Sequence, residues 1–283
     1  MALRHRVVLV AEPAPRRTGV AARLIGGLRD TIRRWRGRHG ELAGTASALG
    51  VPWCRAVGRR DPGLVRRLRR LQPDILCVAG WPWILPPEVY SIPRLGAINL
   101  HTSLLPRHRG PMPLFWIYAH DDRETGVTVH WVAEGADTGD IILQERLPLG
   151  RGENIVPVHA ASADLGATLM TAALDAIERG VDTRTQQDER LATIEPVAWP
   201  GAPMVDFAEW DVERVWHMLA GLFPMFREPL RNSNGSPIRY SAVLGFERGA
   251  HDEPLGSVVE APGHYVLHCR GGVVRLGRKA AAP

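Results

Sequence analysis

Leu95-Gly-Ala-Ile-Asn99-Leu-His101-Thr-Ser103-Leu-Leu-Pro106-Arg107-His-Arg109-Gly110-Pro111 is an apolar run that ends in an amide and an imidazole and then turns into a basic, proline-bounded loop. With Leu95 to Leu100 as a strand, Asn99 and His101 are two residues apart and leave on one face, while Leu100 points the other way into packing. Downstream, Val127-Thr-Val-His130-Trp-Val132 is a second apolar run. The turn Asp137-Thr-Gly139-Asp-Ile141 then leads into a third, Ile141-Ile-Leu143. A carboxylate that reaches an imidazole fixes its tautomer and raises its pKa, and an adjacent amide donates to a developing oxyanion. One small site using all three suits acyl transfer.

Working outward, Arg6 to Ala11 reads as a first buried strand and Ala14 to Arg38 as a loop and basic helix. Leu42 to Leu49 is a short helix ended by Gly50, and Val51 to Val57 is an edge strand because it carries Pro52. Asp61 as N-cap and Pro62 at the first helical position open a further helix. Asp74 to Gly80 is a central strand. Strands alternating with helices indicate an α/β sheet of mostly parallel strands. Between Leu24 and Gly50 no second strand is evident. Ser162 to Gly180 is an amphipathic helix stopped by glycine, and a polar, proline-bearing linker starts at about residue 181. This divides the chain into 1–200 and 201–283. The second unit opens with a helix from Asp211 to Leu222, bounded by Pro224. Ile238–Leu244, Gly256–Val259, Tyr265–Cys269 and Gly272–Leu276 follow as short strands that suggest a small β-barrel.

The chain has 283 residues, enough for a large and a small domain, and its 45% hydrophobic and 23% charged content is ordinary for a globular protein. Cys54, Cys77 and Cys269 lie far apart, which indicates neither a disulfide framework nor a zinc site and fits a reduced, cytoplasmic setting. The N-terminus lacks a signal-peptide pattern, and no run reaches the ~20 apolar residues of a membrane span. Among the 11 histidines no ligand-spaced cluster stands out, so no metal is expected. The net charge is +5. Basic residues concentrate on two helical faces, Arg29, Arg33 and Arg36, and Arg66, Arg67, Arg69 and Arg70. These read as solvated faces of amphipathic helices, or as a surface for tRNA or a phosphorylated substrate.

The sequence resembles the formyltetrahydrofolate-dependent formyltransferase family. Members carry Asn-x-His-x-Ser-Leu-Leu-Pro-x-x-Arg-Gly, then Gly-Val-Thr-x-His, then Asp-x-Gly-x-Ile. Here these are Asn99 to Gly110, Gly126 to His130, and Asp137 to Ile141, in the family's order. The resemblance is strong from about Pro73 to Ile155 and looser toward the C-terminus. Glu12-Pro-Ala-Pro-Arg-Arg-Thr18 replaces the glycine-containing loop often found after the family's first strand.

The resemblance implies a Rossmann-like sheet and a barrel-like substrate domain. It makes Asn99, His101 and Asp137 the catalytic trio, with 10-formyltetrahydrofolate as formyl donor. Asn99 and a protonated His101 would stabilise the oxyanion, and Asp137 would keep His101 charged. The resemblance places the pterin between Trp81, Trp83, Ile84 and Leu85 on one side and Val132, Glu134, Gly135 and Ala136 on the other. Trp81 and Trp83 either stack on it or cover the end of the sheet. Around the trio, His130 sits beside it or in packing. Arg107 and Arg109 meet an acidic substrate or brace the loop, and Ser103 is a nucleophile or a turn hydroxyl. The acceptor expected is a small-molecule amine, such as an amino sugar, a hydroxylated amino acid or a specialised-metabolite precursor. The alternative is methionyl-tRNA. A formyltetrahydrofolate hydrolase or a non-catalytic binding protein on the same scaffold ranks behind both. No membrane partner is expected, and the sequence assigns no oligomeric state.

Overall fold

The computed structural model describes residues 5–14, 39–181, 184–198 and 202–278. Residues 15–38, with the expected first basic helix and Arg29, Arg33 and Arg36, lie outside the described residues. A two-stranded parallel sheet joins β1 (Val10–Pro13) to β2 (Trp53–Ala56). The first strand thus begins later than the apolar run suggests. Helix α1 (His39–Ala48) precedes β2. Helix α2 (Pro62–Leu71) follows it, capped by Asp61, whose Oδ1 accepts from the Leu64 N–H at 2.8 Å. Leu64 and Leu68 are buried while Arg66, Arg67, Arg69 and Arg70 are exposed, so this basic stripe is a solvated helix face.

The sheet that carries the candidate site has four strands in the order β3 (Leu76–Ala79), β4 (Ala97–His101), β5 (Glu124–Trp131), β6 (Ile141–Pro148). β3 and β4 are parallel, whereas β4–β5 and β5–β6 are antiparallel, so the sheet is mixed, with the parallel pairing confined to its N-terminal part. Between β3 and β4 lies the one-turn helix α3 (Pro87–Tyr90), and between β4 and β5 lies α4 (Pro113–Ala119). Helix α5 (Ile155–Glu178) covers the opposite face from the candidate site. It starts earlier than Ser162 because Asn154 caps it, accepting from the Val156 N–H. Its Gly166 sits so close to Leu100 that an added Cβ would lie 2.4 Å from Leu100 Cδ1. Leu100 therefore packs beneath the helix, and Asn99 and His101 project from the other side of β4.

Helix α6 (Val212–Leu222) joins two cores. Met218 and Leu222 pack with Leu114, Phe115 and Tyr118 of α4, while Val212, Val215 and Leu219 pack with Leu267, Val274 and Leu276. The latter belong to an antiparallel sheet in the order β7 (Tyr240–Arg248), β10 (Gly272–Arg278), β9 (His264–Cys269), β8 (Val258–Ala261). Among the described residues β7 and β8 are open edges, so the expected barrel is not closed. One amphipathic helix covers the apolar face of the sheet, which removes the need for closure. No helix among the described residues is long and apolar enough to cross a membrane.

Candidate active site

Strand β4 delivers Asn99 and His101, and register places Asn99 opposite His130 on β5. Asp137 lies in the turn after β5 in a left-handed conformation, φ 55°. That turn is tight because Gly139 passes under Trp131, where an added Cβ would lie 1.8 Å from the Trp131 carbonyl oxygen. Asn99 Nδ2 donates to Asp137 Oδ1 at 3.2 Å and lies 3.1 Å from His130 Nε2. The Gly110 N–H donates to Asp137 Oδ2 at 2.9 Å, and His101 Nδ1 is 3.7 Å from the same oxygen. His130 thus joins the three residues expected to act together.

Main-chain carbonyls fix the ring tautomers, since a carbonyl can only accept. His101 Nε2 lies 2.8 Å from the His108 carbonyl and therefore carries hydrogen, which leaves Nδ1 toward Asp137. His130 Nδ1 donates to the Trp131 carbonyl at 2.8 Å. With Nε2 unprotonated, His130 accepts from the Asn99 amide. Burial pushes the His101 imidazole below its ordinary range, against the upward pull of Asp137 and the His108 carbonyl. Burial thus favours the neutral ring, where the sequence led us to expect a standing imidazolium. Burial works to raise the Asp137 carboxyl, but the proton-bearing forms of His130 and His101 and the Gly110 N–H outweigh it and bring it to about 2. A firm carboxylate beside a neutral imidazole is an arrangement poised to take up a proton at Nδ1.

The loop arginines brace structure. Arg107 clasps Asp122 with contacts of 2.7 and 3.0 Å. Arg109 is only 2% exposed and gives its guanidinium to Gln187 and Glu189, the bracing arrangement of the two that the sequence left open. Ser103 is buried and donates to the Arg107 carbonyl at 2.9 Å, as a turn hydroxyl. Trp81 and Trp83 meet edge to face at 5.5 Å, and Trp81 and Val132 pack against the same apolar cluster as Leu85. Ile84 is exposed, as are Glu134 and Gly135, with Ala136 half-buried beside them. The Trp81 indole N–H is buried and unpartnered, a donor that suits a heteroaromatic ring with acceptor atoms.

Sequence reasoning missed Gln187. Its buried amide donates to the carbonyls of Asp137, at 2.8 Å, and Gly139, at 2.7 Å, while its oxygen accepts from Arg109. The polar stretch expected to be a linker instead folds back on the site, with bridges of Thr185 to Ile141 and Ile194 to Arg109. Also unforeseen is the grouping of His108, His120, Asp122 and Glu195 behind the loop. The separation of Glu195 from the others in sequence leaves no local signal for either feature.

A mixed α/β sheet thus brings an amide, two imidazoles and a carboxylate together at the end of one strand and in a neighbouring turn. Residues 39–198 match the formyl transferase family, and the chain belongs to it. It is 33% identical over 209 residues to the methionyl-tRNA formyltransferase of Syntrophus aciditrophicus (strain SB), a match spanning 74% of this chain and 66% of that relative. With the methionyl-tRNA formyltransferase of Synechococcus sp. (strain JA-3-3Ab) it shares 40% identity over 153 residues, 54% of this chain and 48% of the relative. The matches thus span about half to two thirds of these relatives' length. In fold it is similar to HypX from Aquifex aeolicus, solved in complex with tetrahydrofolic acid. There the TM-score is 0.62 and the identity 17%, covering 96% of this chain and 44% of HypX. It is also similar to WlaRD, a sugar 3N-formyl transferase, with TM-score 0.61 and 14% identity, covering 86% of this chain and 82% of that one.

Proposed function

We propose that this chain transfers a formyl group from 10-formyltetrahydrofolate to a primary amine. The observation that carries the reading is the reach of Asp137 to both Asn99, at 3.2 Å, and His101, at 3.7 Å. As the amine nitrogen bonds to the formyl carbon, the carbonyl electron pair moves to oxygen. Asn99 turns an amide hydrogen to that oxygen in place of its long bond to Asp137. The amine gives up its proton to His101 Nδ1, and the Asp137 carboxylate stabilises the imidazolium that forms. The proton then passes to the leaving folate nitrogen as its bond to the formyl carbon breaks. Trp81, Trp83, Ile84, Leu85, Val132, Glu134, Gly135 and Ala136 would hold the pterin, with the unpartnered Trp81 N–H as one donor.

The catalytic unit in this reading is 1–200, with 201–283 on the acceptor side. The names of the curated relatives favour methionyl-tRNA as acceptor over the small amine expected from sequence. The small amine stays as second reading because the family match ends at residue 198 and leaves the C-terminal unit outside it. The test is tetrahydrofolate release from 10-formyltetrahydrofolate with methionyl-tRNA or with a pooled amine extract. Turnover with the tRNA, falling steeply with salt, supports the first acceptor. Turnover only with the extract supports the second, and none with either overturns formyl transfer.

A further inference from the structure

We propose that His108, His120 and Glu195, which meet at the loop after β4, form a binding site for a zinc-class divalent metal ion. Their ligand atoms all lie within 4.8 Å of one another. His120 Nε2 is 3.3 Å from one Glu195 carboxylate oxygen and 3.4 Å from the other, and His108 Nδ1 is 3.0 Å from Glu195 Oε1. The His120 separations are long for a charge-assisted hydrogen bond. They match the edge of a tetrahedron, since metal bonds of about 2.0–2.2 Å put ligand atoms roughly 3.3 Å apart. Two imidazoles and a carboxylate form a donor set that zinc accepts, with a fourth position for water on the exposed side of His120.

The surroundings are those of a ligand set. The second nitrogen of His108, Nε2, donates to Asp122 Oδ2 at 2.7 Å, an outer carboxylate of the kind that orients metal-binding histidines. Arg107 holds that carboxylate from the far side. Thr193 Oγ1 lies 3.3 Å from Glu195 Oε1 and donates to it, and the same hydroxyl accepts from the His108 N–H at 2.8 Å. His108 itself is buried and held at φ 57°. The His108 carbonyl is the acceptor for His101 Nε2, so an ion here would stiffen the support of the candidate catalytic ring.

The test is calorimetric titration of chelator-treated protein with zinc chloride, paired with the visible absorption of the cobalt(II) form. The result expected is one saturable ion per chain with nitrogen/oxygen-type cobalt bands. H120A and E195Q abolish both signals while circular dichroism stays native. D122N weakens binding by roughly ten- to hundredfold. D175N, in the separate group His5, Asp175 and Glu178, leaves them unchanged. Absence of saturable uptake, uptake indifferent to H120A and E195Q, or cobalt–thiolate absorption would overturn the proposal.

Discussion

Gly110 donates its backbone N–H to Asp137 Oδ2 at 2.9 Å, tying the loop after the central strand to the turn that carries the carboxylate. The bond leaves the second oxygen for Asn99, so the carboxylate is held in place by the main chain while its side-chain partners stay available to a substrate.

Replacing Asp137 by asparagine removes the charge that favours a protonated His101. Rate constants for formyl transfer should fall by about 10²–10⁴, the usual range for a lost acid–base partner. Folate affinity should change little. Tetrahydrofolate release under single-turnover conditions checks this, and a drop of less than tenfold would contradict the assigned role.

The depressed Asp137 carboxyl makes a pH prediction with a definite sign. Its folded value of about 2, against 3.8 for the free group, contributes stability present above pH 3.8 and lost as pH falls toward 2. The contribution at neutral pH is about 2 kcal/mol. Denaturant midpoints of D137N should therefore vary less than wild type between those values.

His101 is also lowered, by burial, so its neutral form is favoured in the fold. That contribution is present above pH 6.5 and is lost as pH falls through its lower folded value. His217, likewise lowered by burial, acts in the same window. His101→Asn should flatten part of the stability loss below pH 6.5 and leave the His217 part. Identical slopes for wild type and variant would argue against a neutral resting His101.

Gln187→Ala should cost about 1–3 kcal/mol, because the buried Arg109 loses an acceptor and the turn carbonyls lose their donor. Since Gln187 acts through the Asp137 turn, kcat should fall more than KM rises. Urea unfolding and steady-state kinetics together separate this from a purely structural loss, in which kcat would be kept.

Two glycines give a paired test of close approach. Gly139→Ala would drive a methyl into the Trp131 carbonyl, so soluble folded protein should be scarce and inactive. Gly44 lies in helix α1 with nothing within 4 Å of an added Cβ. Gly44→Ala should raise stability by roughly 0.5–1 kcal/mol. Thermal melting of the two variants decides both.

The strand that carries Asn99 and His101 was legible because period-two alternation put Leu100 in the core and its neighbours on the opposite face. Asp61 and Pro62 announced helix α2 through local capping chemistry, and the structure shows the bond that the pattern implied. What failed to show was of a different kind. The antiparallel addition of β5 to β4 depends on a crossover whose direction α4 does not encode. The sheet of the C-terminal unit stays open because α6 covers it, a tertiary outcome that short strands alone resemble only loosely. Gln187 and Glu195 sit in a polar stretch with no periodicity, and their burial comes from a chain path laid down far from them in sequence. The neutral state of His101 follows from burial, which a motif does not measure.

Helix α6 gives one face to the core around Tyr118 and the other to the C-terminal sheet, and its Gly221 lies against the Tyr118 ring. The two halves of the molecule consequently share a single structural wall. Exchanging the C-terminal half for that of a relative, as one would to transplant acceptor preference, would require a donor helix whose two sides suit both hosts. Inheritance of the two halves should therefore be coupled at this helix, and successful chimeras should place their junction before Val212 and carry compensating changes around Tyr118.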